Sequence, residues 1–157
     1  SGTHRHTAEM EATAGRAAAA AAGGAGKRLS THGDFEPTRV SFTPHLVPMG
    51  RGILATCAVQ VEDDADLDTA SLRELLRGYY AGDPLVTVQD APPQTKAVAG
   101  SDRAVLSAHF DERTRQALVF CAIDNLGKGA AGQAVQGFNV AFGFDETAGL
   151  SQVGTWP

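Results

Sequence analysis

From its sequence this 157-residue chain is expected to be an α+β domain, with a mixed, partly antiparallel sheet and helices on one face. Three observations predict it. In residues 52–61, Ile53, Ala55, Cys57 and Val59 alternate with Leu54, Thr56, Ala58 and Gln60, a period of two with one apolar face. In 69–80, Leu72, Leu75, Leu76, Tyr79 and Tyr80 recur at i, i+3, i+4, i+7 and i+8, which is the stripe of an amphipathic helix. Two further strand-like runs, 105–110 and 117–123, follow one another across a polar connection, Asp111-Glu112-Arg113-Thr114-Arg115, with no helix between them.

Each element has a local cause. Residues 7–22 are rich in alanine and predict a helix, with Gly23 and Gly24 supplying its C-cap. Residues 27–37 then read as a polar loop. Val40 and Phe42 stand before Pro44, and Leu46 and Val47 after it, so an edge strand or two short strands are expected there. The 52–61 strand is expected at the centre of the sheet and is ended by the acidic run 62–68. The 69–80 helix can open on a Ser71–Glu74 capping box, should bury Leu75, and is stopped by Gly82 and Pro84. A short strand at 85–88 precedes the turn at 91–94, and residues 129–142 place Ala131, Ala134, Val135, Phe138 and Phe142 on one helical stripe. Three segments are expected: a His-containing N-terminal segment (1–37), an α+β core (38–124), and a C-terminal helix and tail (125–157).

The chain is 43% hydrophobic and 20% charged, with a net charge of −5. An acidic balance argues against nucleic acid, whose binders display basic faces to phosphate. No run approaches the roughly 20 apolar residues that span a bilayer, so a cytoplasmic protein without membrane contact is expected. Cys57 and Cys121 sit in apolar runs with no metal-ligand spacing around them. They are expected to be small, buried and unreactive, and no metal site is expected.

Three stretches could carry chemistry. His4-Arg5-His6 with Glu9 is the densest ionisable cluster. An imidazole can exchange protons near neutrality and a carboxylate can hold its tautomer, although a solvated chain end reads the same way. Residues 40–56 interrupt a strand-like sequence with Pro44, His45, Pro48, Gly50, Arg51 and Gly52. Such a bend is either a crossover between strands or the wall of a polar pocket in which Arg51 meets an anion. Residues 122–136 run from a strand through Asp124-Asn125-Leu126-Gly127-Lys128-Gly129 into a helix. Free N–H groups of a first helical turn attract anions or a carboxamide, and a tightly packed helix start would use the same glycines. Gly23-Gly24-Ala25-Gly26 follows a helix rather than a strand, so the sequence offers no dinucleotide-binding fingerprint.

Taken in order, His4 to Glu9, Val40 to Thr56, Thr95 to Ser101, Ala122 to Gln136 and Phe142 to Leu150 resemble the signatures of N-acetyl-γ-glutamyl-phosphate reductases. Asp-Asn-Leu-x-Lys-Gly-Ala-Ala-Gly is shared with the related aspartate-semialdehyde dehydrogenases. The Thr-Pro-His-Leu-Val-Pro-Met-x-Arg-Gly-Ile-Leu-Ala-Thr run at 43–56 is not, and is therefore the more specific.

The resemblance implies a fold like the C-terminal domain of glyceraldehyde-3-phosphate and aspartate-semialdehyde dehydrogenases. It also implies an activity in arginine biosynthesis. A cysteine thiolate attacks N-acetylglutamyl 5-phosphate, phosphate leaves, and the thioester is reduced with NADPH to the 5-semialdehyde. His6 would be the acid/base; His4, Glu9 and Arg51 would line the substrate side; Asn125 and Gly129 would meet the nicotinamide end of NADP. The implied partners are the substrate, an N-terminal dinucleotide-binding half that binds most of the cofactor, and a second copy of the chain in a homo-oligomer. The family's nucleophile lies in a Gly-Cys-Tyr-Pro-Thr context, which this chain lacks, so it is expected to be inactive alone. Ala8 stands where the family has proline, Asp102 where asparagine is common, and the Ala-rich segment before Val40 is longer than usual. Two other readings stay open: a non-catalytic dimerisation or binding domain, and an aspartate-semialdehyde dehydrogenase.

Overall fold

Backbone pairing is densest where the sequence alternates most cleanly. The computed structural model describes residues 4, 6–23 and 39–155, which fall into two compact units, 1–48 and 49–157. In the second unit, β1 (Ile53–Gln60), β2 (Val86–Val88), β3 (Ala104–Asp111) and β4 (Gln116–Ile123) form one sheet in the order β1-β4-β3-β2. The expected hairpin is present: β3 and β4 pair antiparallel from Ala104↔Ile123 to Asp111↔Gln116. Asp111 closes it by accepting hydrogen bonds from the N–H groups of Arg113 and Thr114. β1 pairs antiparallel with the other side of β4, and β2 pairs parallel with β3, so the sheet is mixed, as the sequence predicts.

β1 lies at the edge, not at the centre, and all eight of its residues are exposed. Alternation with a period of two fixes which residues share a face, but it is the same for an edge strand and a central one. The central places go to β4 and β3, whose hairpin brings them together first in sequence. Cys57 is accordingly exposed on β1 rather than buried, while Cys121 on β4 is half-buried.

The helix α2 (Thr69–Tyr79) covers one face of the sheet. Its N-cap is Asp68: the carboxylate accepts from the Ser71 N–H at 2.7 Å, and the Ser71 hydroxyl accepts from the Asp68 N–H at 2.9 Å. The capping box is therefore Asp68–Ser71 and not Ser71–Glu74, because the carboxylate three residues earlier reaches the free N–H first. Leu72 packs on Ala108, Phe110 and Ala117, with Leu76 and Val119 beside them. Leu75, expected to be buried, is 61% exposed. The apolar stripe is wider than the contact: Leu72 and Leu76 meet the sheet, while Leu75 and Tyr79 are exposed. Arg73 fastens the helix by donating from Nε to the Ala108 carbonyl at 2.9 Å.

The single turn α3 (Thr95–Val98) rests on the opposite face of the sheet from α2, where Val98 packs on Val105 and Ala122. Beyond β4, a π-helical turn at Gly127–Ala131 runs into α4 (Gly132–Phe142). The predicted stripe on α4 is present but uncovered, with Val135, Phe138 and Phe142 exposed. Asn139 holds the helix instead, donating to the carbonyls of Glu146 and Ala148.

In the first unit, α1 (Thr7–Gly23) matches its expected span. Gly23 is its last residue; the rest of the expected cap and the loop at 27–37 lie outside the described residues. No strand forms at 39–52, against expectation. Pro44 and Pro48 remove ladder donors, and the Val40 N–H is taken by the Glu11 carboxylate at 3.0 Å. Among the described residues no helix is long and apolar enough to cross a membrane.

The burial of the two leucines separates their expected effects. Leu72→Ala should cost about 2 to 5 kcal/mol in urea unfolding, and Leu75→Ala less than about 0.5 kcal/mol. Equal losses would mean that α2 is rotated from this position.

Candidate functional site

Directly after β4 comes Asp124, whose side chain is fully buried. An isolated carboxylate there would be expensive, so every donor within reach matters. Its Oδ1 accepts from Leu126 N at 2.7 Å, Gly127 N at 2.9 Å and Arg51 Nε at 3.0 Å. Oδ2 accepts from Gly100 N at 2.5 Å. Burial alone would push the carboxyl pKa up, but the N–H groups of Gly100, Gly127 and Leu126 and the Arg51 guanidinium outweigh it. They hold the group well below the usual carboxylate range.

Arg51 and Gly52 are placed by two consecutive residues of that strand end. While Asp124 takes Arg51, the Asn125 Oδ1 accepts from Gly52 N at 2.6 Å. Gly52 has φ +105, and a Cβ there would stand 2.7 Å from Thr95 Cβ, so only glycine fits this bend. One residue on, Ile53 pairs with Ile123. Gly129 donates its N–H to the Asp124 carbonyl at 2.8 Å. The structure thus brings Arg51, Asn125 and Gly129 together around Asp124, which the sequence did not single out. An arginine in a bend and an aspartate at a strand end are each common, and 73 residues separate the two.

One of the open choices over 122–136 is resolved. The N–H groups of Leu126, Gly127 and Gly129 are all bonded to Asp124, so this is a packed helix start rather than a set of free donors. Gly132 shows how close that packing is: a Cβ there would lie 1.9 Å from Asp102 Oδ1. Lys128 donates to Gln136 Oε1, and Gln136 Nε2 donates to Glu146 Oε1 at 2.6 Å. Burial draws the Lys128 ammonium below the ordinary lysine range. Burial likewise pushes the Cys121 thiol up, which suits the expected inertness of that residue.

His4, His6 and Glu9 belong to the first unit. The His4 and His6 rings meet edge to face at 5.0 Å, and the His6 N–H donates to His4 Nδ1 at 3.3 Å. His4 also packs edge-on against Phe42 at 5.1 Å. Both imidazoles are exposed, as is Glu9, which makes no hydrogen bond to either among the described residues. The imidazole pair is therefore ordered by ring contact and by the start of α1, where Met10 N donates to the His6 carbonyl at 3.0 Å.

Asp124 gives the second unit an acid-sensitive point. Its folded pKa is depressed, so its stabilising effect is complete above its unfolded value, about 4, and is lost as pH falls toward the folded value. Asp124→Asn should cost about 3 kcal/mol at pH 7, mostly through buried backbone donors left unpaired, because Arg51 is 44% exposed and its charge is screened. The gap between wild type and variant in urea unfolding should narrow as pH falls below about 5. A gap that stays constant down to pH 3 would show that the carboxylate charge contributes nothing.

Comparison with known proteins supplies the family. A sequence model described as "Semialdehyde dehydrogenase, dimerisation domain" matches residues 1–125, which include His4, His6, Glu9, Arg51 and Asn125. An N-acetyl-gamma-glutamyl-phosphate reductase of Thermus thermophilus is 48% identical over 99% of this chain and 43% of its own length. The reductase of the same name from Symbiobacterium thermophilum is 46% identical over 98% of this chain and 39% of its own. This chain therefore spans about two fifths of the length of these relatives. Among solved structures, an aspartate semialdehyde dehydrogenase II from Vibrio cholerae covers 60% of this chain and 29% of its own, at 22% identity and a TM-score of 0.46. With four fifths of its residues inside the family model, the chain belongs to the semialdehyde dehydrogenase dimerisation-domain family.

Proposed function

We propose that this chain is the substrate-binding and dimerisation part of an NADPH-dependent N-acetyl-γ-glutamyl-phosphate reductase of arginine biosynthesis, working in the cytoplasm. The observation that carries the reading is the 48% identity to a reductase of that name over 99% of the chain. The run from Thr43 to Thr56 favours it over an aspartate-semialdehyde dehydrogenase. The overall reaction converts the acyl phosphate, NADPH and a proton to the semialdehyde, phosphate and NADP.

In this reading the nucleophilic cysteine comes from an N-terminal dinucleotide-binding half, and the present chain supplies binding and proton transfer. His6 is the acid/base, able to take the thiol proton and to protonate the oxygen that becomes the aldehyde. Its backbone is held by the first turn of α1 and its ring lies against His4. His4, Glu9 and Arg51 contact the substrate, with the guanidinium attracting one of its anionic groups. Asn125 and Gly129 suit the nicotinamide end of NADP. The Asn125 oxygen is engaged by Gly52, which leaves its amide NH2 to donate, and Gly129 presents backbone without a side chain. When bound, the nicotinamide supplies the hydride.

Two uncovered surfaces support the expected partners. β1 exposes Ile53, Leu54 and Val59, an apolar edge that an isolated domain would leave liable to association, and a second copy of the chain would cover it. The exposed α4 stripe of Val135, Phe138 and Phe142 is assigned to the N-terminal half. We retain segments 1–37, 38–124 and 125–157 as the functional division.

The test joins this chain to the N-terminal part of the Thermus thermophilus relative as one polypeptide and follows NADPH oxidation with N-acetylglutamyl phosphate. Turnover is expected, and His6→Asn should lower kcat by roughly 10²- to 10⁴-fold while NADPH binding changes little. Loss of turnover in His4→Asn but not in His6→Asn would move the acid/base role to His4. Reduction of aspartyl phosphate in place of N-acetylglutamyl phosphate would replace the reading altogether.

A further inference from the structure

The Arg51 guanidinium is only partly used. Of its five N–H donors, the one on Nε goes to Asp124 at 3.0 Å, and the terminal nitrogens Nη1 and Nη2 make no hydrogen bond among the described residues. The two partners are also unequal in exposure, the Asp124 side chain at 0% and the Arg51 side chain at 44%. The carboxylate lies inside, then, and the far edge of the guanidinium faces out.

An arginine on a loop ordinarily loses several free rotors when it grips a ligand, and that loss weakens binding. Here three constraints remove the freedom beforehand. Ile53 pairs with Ile123, Gly52 N bonds to Asn125 Oδ1, and Arg51 Nε bonds to Asp124 Oδ1, so three successive residues are fastened to the last residue of β4 and the two that follow it. Asp124 itself cannot swing toward the arginine or away from it, since three backbone N–H groups fix its two oxygens. The terminal edge that remains carries two parallel N–H groups, the geometry that matches both oxygens of a carboxylate or phosphate.

We propose that Asp124 is a positioning residue for the reaction: it holds Arg51 by Nε and thereby presents the Nη1–Nη2 edge, end-on, to an anionic group of the acyl phosphate substrate. The proposal rests on the assignment of Arg51 to the substrate side. It divides the guanidinium between two tasks, and a lysine, with one nitrogen, cannot perform both.

The test uses the joined full-length enzyme and reads KM for N-acetylglutamyl phosphate, KM for NADPH and kcat. Arg51→Ala, Arg51→Lys and Asp124→Asn should each raise the acyl phosphate KM by roughly 10- to 100-fold, the worth of a charge-assisted hydrogen-bond pair, and leave the NADPH KM within about twofold. The double variant Arg51→Ala/Asp124→Asn should be no worse than the worse single one, because Asp124 acts only through Arg51. Multiplied effects in the double variant, or an unchanged acyl phosphate KM in Asp124→Asn, overturn the proposal and leave Asp124 as a structural anchor. If Asp124→Asn does not fold, Arg51→Lys decides: a wild-type KM with lysine means the second task does not exist. An active enzyme in which Arg51→Ala leaves the KM unchanged overturns the proposal while the reductase assignment stands. A joined enzyme that reduces no N-acetylglutamyl phosphate removes that assignment first, and the proposal with it.

Discussion

The second unit is organised around one buried carboxylate. Transferring a charged side chain into an apolar interior costs several kcal/mol even after relaxation, so a domain keeps such a group only where enough donors converge on it. Asp124 collects three backbone N–H groups and one guanidinium, drawn from the turn at Gly100, the helix start at 126–127 and the bend at Arg51. Gly100 and Arg51 lie outside regular secondary structure and Leu126 and Gly127 stand at the very start of the π-helical turn, so without the carboxylate each segment would carry an unsatisfied donor. The same group thus sets where the bend before β1 and the helix after β4 stand relative to the sheet.

Both oxygens of the buried carboxylate are bonded, whereas much of the apolar surface of the unit is exposed. Ala108, Phe110 and Ala117 are closed over by Leu72 of α2, whereas among the described residues the outer edge of β1 and the stripe of α4 are exposed. Leu54 and Val59 on β1 are each more than half exposed, as are Phe138 and Phe142 on α4, where the aromatic rings cluster with Phe144 instead. Part of a sequence that is 43% hydrophobic is thus left exposed on these two surfaces. A strand with near-perfect alternation and no covered face is physically coherent if its neighbours are supplied by association.

What the sequence made legible follows from the range of the cause. The β3–β4 hairpin, α1 and α2 are set by periodicity and by residues within a few positions, and each was predicted close to its observed span. The edge position of β1 was not legible, because order within a sheet depends on which strands the remaining chain brings alongside. The exposure of Leu75 was hidden for a related reason: an apolar stripe states which side of a helix is greasy, not how wide the contact will be. The capping box is Asp68–Ser71 rather than the expected Ser71–Glu74, because a cap is decided by where the helical dihedrals begin. At the site, Arg51, Asn125 and Gly129 could be picked out from their motifs, but the aspartate that Arg51 and Gly129 share could not. Asp124 reads locally as the residue that ends a strand, and its partners Gly100 and Arg51 lie 24 and 73 positions away.

The glycines of 127–132 acquire a different meaning in the structure from the one they carry in the sequence. A Gly-Lys-Gly turn at the start of a helix suggests open backbone donors awaiting an anion, yet the anion is already present as the side chain of Asp124. Asp102 reinforces this from the other side, with one carboxylate oxygen so near Gly132 that no Cβ fits and the other accepting from Ser151 N at 2.8 Å. Two internal carboxylates therefore fill the space that a bound phosphate would need. Among the described residues the donors not engaged in this packing are the terminal nitrogens of Arg51 and the Asn125 amide, whereas Gly129 is bonded to the Asp124 carbonyl, so this end of the sheet carries free side-chain donors rather than a backbone cradle. Each is tied from behind, Arg51 through Nε to the carboxylate that follows β4 and Asn125 through Oδ1 to the Gly52 N–H.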